Sequence, residues 1–301
     1  MIQLEKLATE RKNPASESID QVSTLSMLQI INNEDKKIVP AIEAILPQIA
    51  IAVDTITAHL TKGGRLFYIG AGTSGRLGIL DAAECPPTYG TDPELVQGLI
   101  AGGYAAILTA QEGAEDSSSL AVDDLKEKTL VASDVVVGIA ASGRTPYVIG
   151  GLTYAHEIGA ATISIACTPN APITVLADIA LTPDIGPEVI TGSTRMKAGT
   201  AQKLILNMLS TGTMIHLGKV YGNLMVDVKT SNKKLEERAR HIVMEATGCD
   251  RPTSIQKLKE AHGQAKLAIF MLLSGTSVGK AVKLLDEAHG FVAIALKNLT
   301  K

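Results

Sequence analysis

The sequence predicts a three-layer αβα domain with a mostly parallel sheet, preceded by helices and followed by a small helical domain. Short β-rich runs alternate with stretches of helical composition between Gly64 and about Gly218. The runs are continuously apolar, as in strands that are covered by helices on both faces. Because strands that alternate with helices form parallel sheets, we expect one α/β domain over residues 57–222.

The N-terminal segment, residues 1–56, is predicted to be helical. Apolar residues recur at a spacing of three to four over residues 18–31, for example at Ile19, Val22 and Leu25. The same spacing continues over residues 40–60 and is typical of amphipathic helices. A charged N-terminus without an apolar run behind it does not resemble a secretory signal.

The central domain is predicted to contain five strands and the helices between them. We expect the strands at residues 65–69, 96–100, 134–139, 162–166 and 179–181. We expect helices at residues 115–128 and 146–158, and a long, mostly apolar helix at 195–217. Beyond residue 232, Lys, Glu and Arg recur at helical spacing without a strand signal, which predicts a separate helical domain over residues 232–301.

Composition excludes several classes of function. Aromatic residues make up 3% of the 301 residues, there is no tryptophan, and the net charge is −3, so neither stacking surfaces nor a basic excess for nucleic acid is present. The longest uncharged stretch, residues 158–177, is interrupted by two prolines, and we expect no transmembrane helix. We therefore expect neither nucleic acid nor a membrane as a partner.

Cysteine and histidine patterns predict a reducing compartment and no metal site. The three cysteines are far apart and form no CxxC motif, and the six histidines show no HExxH spacing. We expect a cytoplasmic protein without a metal or another cofactor. The cysteines are Cys85, Cys167 and Cys249.

Three loops at predicted strand or helix boundaries are rich in glycine and hydroxyl groups. They span residues 70–75 (GAGTSG), 141–145 (ASGRT) and 192–197 (GSTRMK). Ligands bind at the carboxyl ends of the strands in open parallel sheets, and glycines, hydroxyls and helix N-termini suit an anion there. We predict that these loops bind one phosphorylated ligand through Thr73, Ser74, Ser142, Thr145, Ser193, Thr194 and Lys197.

Each loop taken singly is compatible with more than one kind of site. Gly70, Gly72 and Gly75 satisfy GxGxxG, but the next predicted strand ends in Ile-Ala-Gly-Gly without the acidic residue that holds a ribose, which argues against NAD or FAD. A P-loop needs Lys and Ser or Thr after its last glycine, and neither follows here. No GxSxG motif surrounds Ser74 or Ser142. Hydroxyl side chains that simply cap helices remain the alternative for any single loop.

Three glutamates beside the loops are candidates for acid–base chemistry. We expect Glu84 at the end of a helix that begins after Gly75 and is closed by two prolines, where the macrodipole favours the protonated form of a general acid. We expect Glu115 in the first turn of the next helix, where the ionised form of a general base is favoured. Glu188 precedes the third loop and is a candidate to face a sugar. Alternatively, Glu115 is an ordinary first-turn acid and Glu84 a solvated surface residue.

The motifs at residues 70–90, 112–116, 139–149 and 191–204 closely resemble the N-acetylmuramic acid 6-phosphate etherase family. The resemblance extends over nearly the whole chain. It implies a sugar isomerase domain, a homodimer and cofactor-free cleavage of a lactyl ether. By the same resemblance, Glu84 is the acid that helps lactate to leave and Glu115 is the base at C2. It also places phosphosugar contacts at Ser74, Ser142, Thr145 and Ser193, with Glu188 near the sugar.

Two other functions remain open at this point. An aldose–ketose isomerase on the same domain needs only proton chemistry at C2, for which Glu188 is suitably placed. A non-catalytic phosphosugar sensor is the other, because the glucokinase regulatory protein resembles this family. That regulator is much longer and has two such domains, and fold alone does not separate the three functions.

Overall fold

The computed structural model describes residues 8–111, 113–230 and 232–299. The first seven residues of the predicted N-terminal helical segment, Glu112 of the EGAED motif, residue 231 and the last two residues lie outside the described residues.

A five-stranded sheet forms the centre of the fold; it was predicted to be mostly parallel, and all of its strand pairs are parallel. Its strands are β1 (Leu66–Gly70), β2 (Val96–Ile100), β3 (Val135–Ile139), β4 (Ala161–Ile165) and β5 (Ile179–Leu181). They lie in the order β2-β1-β3-β4-β5. All five predicted strands are confirmed to within one residue at each end.

In the described part of the chain, eight α-helices precede, connect and follow these strands. They are α1 (Thr24–Asp35), α2 (Ile38–Glu43), α3 (Leu46–Thr61), α4 (Gly72–Tyr89), α5 (Ala105–Leu108), α6 (Ser118–Glu127), α7 (Pro146–Glu157) and α8 (Lys197–His216). The predicted helix over residues 40–60 is divided into α2 and α3, because Pro47 in the first turn of α3 has no N–H to continue the preceding helix.

The sheet is buried on both faces, which explains why its strands are continuously apolar. In β1, Phe67 and Ile69 pack with α6 and α7 residues such as Leu125 and Leu152 in one core. Successive side chains of a strand point to opposite faces, and every residue of β1 is buried, including Leu66 and Tyr68 on the other face. The predicted three-layer class is therefore correct.

Helix α4 differs from the prediction at both ends. It begins at Gly72 rather than after Gly75, so that Thr73 and Ser74 belong to its first turn. It also runs through Pro86 and Pro87 to Tyr89. The fixed φ of proline is compatible with helical backbone, and hydrogen bonding resumes beyond the prolines, where Gly90 N donates to Pro86 O over 3.0 Å.

The chain divides into two compact units. The first contains the described part of Met1–Ala83 together with Glu94–Ser210, and the second contains Glu84–Pro93 with the described part of Thr211–Lys301. The predicted domain boundaries at residues 56/57, 222 and 232 stay predictions.

The second unit is mainly helical, as expected for the C-terminal part of the chain. Its own elements are a hairpin of β6 (Val220–Tyr221) and β7 (Leu224–Met225), then α9 (Lys233–Thr247), α10 (Arg251–Glu260), α11 (Ala265–Ser274), α12 (Val278–Glu287) and α13 (Val292–Leu299). Phe270 and Ile269 of α11 are fully buried in a separate hydrophobic core.

Within the described ranges, no single helix is long and apolar enough to cross a bilayer. Two bent helix pairs, Thr24–Glu43 with Leu46–Thr61 and Ala265–Ser274 with Val278–Glu287, reach the required length and composition only when each pair is taken together.

Candidate active site

The strand order creates a crevice between β1 and β3. The chain leaves β1 towards β2 on one side and leaves β3 towards β4 on the other side. Loops diverge at such a topological switch point and leave room for a ligand at the carboxyl ends of the strands. Thr73 and Ser74 lie in the first turn of α4 directly after β1, and Ser142 and Thr145 lie on the loop after β3. Four of the predicted donors therefore follow the two strands that flank this crevice.

Glycines make the turn after β1 unusually tight. A Cβ on Gly75 would lie 2.6 Å from Ile100 Cγ1 and 2.7 Å from Gly70 O, and a Cβ on Gly70 would lie 2.8 Å from Gly75 N. Gly72 has a φ of +53°, in the left-handed region that glycine tolerates. The glycines of this GxGxxG pattern therefore serve the close approach of α4 to the sheet.

Ser74 is almost fully buried, and its hydroxyl donates a hydrogen bond to Gln202 Oε1 over 2.9 Å. This bond links the start of α4 to α8. The backbone N–H groups in the first turn of a helix have no partners within the helix, so the α4 N-terminus can present them, together with Thr73, to an anion.

The loop after β3 leads into α7 through Thr145, which is the N-cap residue but does not cap the helix with its side chain. Its hydroxyl is therefore not used at that helix end. Ser142 is half-buried and lines a cavity of about 370 Å³.

Glu115 lies in a 3-10 turn, Ala114–Asp116, rather than in the first turn of a helix. The α6 helix begins later, at Ser118, and Ser117 is its N-cap. The predicted first-turn placement is therefore wrong. Glu115 is exposed and lines a cavity of about 150 Å³ together with Ala71 and Gly72. The structure thus brings this carboxylate to the start of α4.

Glu84 is an exposed residue of α4, and the helix continues for five residues beyond it. The influence of the macrodipole falls off within the last turn of a helix. The predicted position of Glu84 at the C-terminus of this helix is therefore wrong.

Glu188 caps the N-terminus of α8. It is 2% exposed, and its two carboxylate oxygens accept hydrogen bonds from Lys197 N and Ala198 N, each over 2.9 Å. Burial raises the pKa of this carboxyl, against the opposing effect of the two N–H donors and the Lys197 charge. Both oxygens of Glu188 are thus committed to the helix end.

Lys197 is completely buried and pairs with Glu34 of α1. Its Nζ lies 2.8 Å from Glu34 Oε2 and donates to Ile185 O over 2.9 Å. Burial alone would raise the pKa of Glu34, but hydrogen bonds from Lys197, Lys37 and Asn13 outweigh it and lower the pKa to about 2. Lys197, which was predicted to bind the ligand, therefore forms a buried ion pair with Glu34. The sequence did not indicate this partner.

Ser193 and Thr194 lie in the turns that lead into α8. Ser193 N donates to Ile190 O over 2.9 Å, and Gly199 N donates to Thr194 O over 3.0 Å. Both residues are half-buried. Hydrogen bonds thus hold the backbone of both residues close to the N-terminus of α8, where Glu188 and Lys197 lie.

Asp81 is a titratable group that the sequence analysis did not identify. Burial raises its pKa to about 6, against hydrogen bonds from Tyr68 and Ser210, the latter over 3.0 Å. The only signal in the sequence is an aspartate among the mostly apolar residues GILDAA.

Within the described residues, no group of three or more His, Cys, Asp or Glu side chains is arranged to hold a metal ion.

Two family models match the chain. The glucokinase regulatory protein N-terminal SIS domain matches residues 48–156, and the SIS domain matches residues 118–212. These matches cover the sheet and most of the loops described above.

Three relatives are similar over nearly the full length of the chain, and each is named N-acetylmuramic acid 6-phosphate etherase. The protein of Aliivibrio salmonicida is 57% identical over 297 residues, and that of Vibrio vulnificus is 59% identical over 297 residues, with 99% of each chain covered in both cases. The protein of Clostridium beijerinckii is 56% identical over 298 residues, which are 99% of this chain and 98% of the relative.

Proposed function

The chain belongs to the N-acetylmuramic acid 6-phosphate etherase family, and from this premise we propose how its residues carry out the reaction. The protein is a carbon–oxygen lyase. It cleaves the D-lactyl ether of N-acetylmuramic acid 6-phosphate and gives N-acetylglucosamine 6-phosphate and D-lactate. We propose that the cleavage is an elimination across C2 and C3, followed by addition of water.

The elimination depends on the open-chain form of the sugar. Its aldehyde at C1 acidifies the proton on C2, and Glu115 takes that proton as the general base. The C3–O bond then breaks, its electron pair moves to the lactate oxygen, and Glu84 donates a proton there. Water adds its hydroxyl to C3 of the resulting unsaturated aldehyde, while a proton returns to C2. Each positioned acid or base contributes roughly 10²–10⁴-fold to such a reaction.

The observation that carries the assignment of the base is the cavity that Glu115 shares with Ala71 and Gly72. A phosphosugar held at the start of α4 would lie beside this carboxylate. We propose that Thr73, Ser74, Ser142 and Thr145 bind the sugar phosphate around the β1–β3 crevice. The phosphate is remote from the bond that breaks, so its binding energy can position C2 and C3.

We propose that the third loop contributes in two ways. Ser193 and Thr194 contact the substrate directly. Glu188 and Lys197 hold the N-terminus of α8 in place through the contacts at 2.8–2.9 Å described above.

Substitution of the two glutamates tests the division of roles. Glu115→Gln should abolish both lactate release and exchange of the C2 proton with solvent. Glu84→Ala should abolish lactate release while the C2 proton still exchanges, as followed by NMR in deuterated water. Normal lactate release by the Glu84 variant would remove this residue from the mechanism.

Labelled water tests the reaction path. In ¹⁸O water, elimination followed by hydration places the label on C3 of the sugar product and leaves the lactate unlabelled. Label in the lactate would instead indicate attack on the lactyl carbon, and mass spectrometry distinguishes the two products.

We also propose a homodimer in the cytoplasm. The edge strand β2 is followed by two strongly exposed apolar residues, Tyr104 (82%) and Leu108 (81%), which suit a contact between copies. Three free cysteines suit a reducing compartment. Light scattering at micromolar concentration measures the mass, and a monomer would contradict the first proposal.

A further inference from the structure

A polar cavity lies next to the β3–α7 loop, and apart from Ser142 none of its lining residues has a role in the mechanism above. It has a volume of about 370 Å³, within the range of small-ligand sites. Ser142 forms part of its wall, and Thr168 and Asn170 from the loop after β4 form another part. Because Ser142 belongs to the predicted phosphosugar crevice, a sugar bound at that loop can extend into this cavity.

Two arginines give the cavity its charge. Arg11 and Arg144 both line it and are exposed, and neither forms an ion pair or a hydrogen bond with another described residue. Asp184 is the one acidic residue among the lining residues, and its carboxylate accepts a hydrogen bond from Gly186 N over 3.3 Å. The lining therefore has a net positive charge of one, which suits a singly charged anion.

We propose that this cavity is a carboxylate subsite in which Arg11 and Arg144 bind the lactyl carboxylate of the substrate. The inference rests on the proposed function. The substrate carries two anionic groups, a phosphate and a carboxylate, at different positions. The crevice at β1 and β3 offers neutral donors and helix N-termini to the phosphate, whereas the planar guanidinium group of arginine matches a carboxylate with two parallel hydrogen bonds.

This assignment has a consequence for specificity. N-acetylglucosamine 6-phosphate has the phosphate and the sugar but lacks the lactyl group. The two arginines therefore discriminate the substrate from the sugar product, and they favour release of that product once the ether is cleaved.

The experiment compares two ligands on three variants. Arg11→Gln and Arg144→Gln should each raise the KM for N-acetylmuramic acid 6-phosphate by about 10- to 100-fold, the usual effect of a lost charge-assisted hydrogen bond. The inhibition constant of N-acetylglucosamine 6-phosphate should change by less than about twofold. Arg238→Gln removes an exposed arginine of the second unit as a matched control and should change neither constant.

Two outcomes would overturn the proposal. An equal loss of affinity for both ligands would mean that the arginines bind the phosphate, and unchanged constants would mean that the cavity binds neither group. If the unmodified protein did not cleave N-acetylmuramic acid 6-phosphate, the proposed function would fail. Calorimetric titration with N-acetylmuramic acid 6-phosphate would then test the subsite separately. Equal affinity of the unmodified protein and the two variants, Arg11→Gln and Arg144→Gln, would exclude the subsite.

Discussion

Among individual residues, Lys197 is expected to be sensitive to substitution. Its ammonium group is fully buried, and a buried charge is stable only when it is paired. Lys197→Met should lower the free energy of unfolding by about 3–5 kcal/mol, since it leaves Glu34 buried and without its main partner. Chemical denaturation measures the change. Lys36→Met, at an exposed position two residues from Glu34, should cost less than about 0.5 kcal/mol. A similar small loss for both variants would contradict this account of the buried pair.

Asp81 predicts a pH dependence of stability. Its pKa is about 6 in the fold against an ordinary value of 3.8. As the pH rises from 4 to 6, the unfolded chain ionises this carboxyl first, so the protein loses stability. Over this range Asp81→Asn should gain up to about 3 kcal/mol relative to the unmodified protein. Asp54→Asn, an exposed substitution with the same charge change, is the control in denaturation curves. A constant difference across this pH range would show that Asp81 does not titrate there.

The local environments of the candidate residues were harder to predict from the sequence than their position relative to the strands. The hydroxyls and Glu115 were predicted from local patterns or from resemblance. Thr73, Ser74, Ser142 and Thr145 lie beside the β1–β3 crevice, and Glu115 lines a cavity at the start of α4. The burial of Lys197 could not be predicted, because its partner Glu34 lies 163 positions away in the chain. Spacing within one motif contains no information about such a pair.

On the scale of secondary-structure elements, the junction of β1 and α4 depends on close backbone contact. Gly75→Ala should destabilise the protein by about 1–3 kcal/mol, because the new methyl would overlap Ile100 and Gly70. It should also weaken binding of the sugar phosphate, as measured by calorimetry. Gly279→Ala is the matched control, since nothing lies near a Cβ at that helical position and alanine favours the helix. Equal stability of the two variants would refute the close contact.

Strands were easier to predict than helix ends. The short apolar runs alternate with helical stretches, a pattern that favours buried parallel strands, and all five predicted runs are strands. The end of α4 was wrong because Pro86 and Pro87 weaken a helix without preventing its continuation to Tyr89. The β6–β7 hairpin was missed, although Gly222 and Asn223 between two apolar pairs are a known turn signal.

For the molecule as a whole, the two compact units contain separate hydrophobic cores, which predicts that unfolding has more than one stage. Phe270→Ala should cost the second unit about 3–5 kcal/mol. Hydrogen exchange with mass spectrometry should then show faster exchange in α9–α13 and little change in β1 and β3. Leu152→Ala, in a core of the first unit, should give the reverse pattern. Uniform acceleration by either variant would instead indicate a single cooperative unit.

The pairing of α1 with the start of α8 also limits how this chain can be shortened. A protein trimmed to begin at its first strand would enclose a positive charge with no carboxylate opposite it. Helix α1 is therefore part of the same folding unit as the start of α8. Fusion partners or truncations intended for expression should leave everything from Thr24, the first residue of α1, onwards intact.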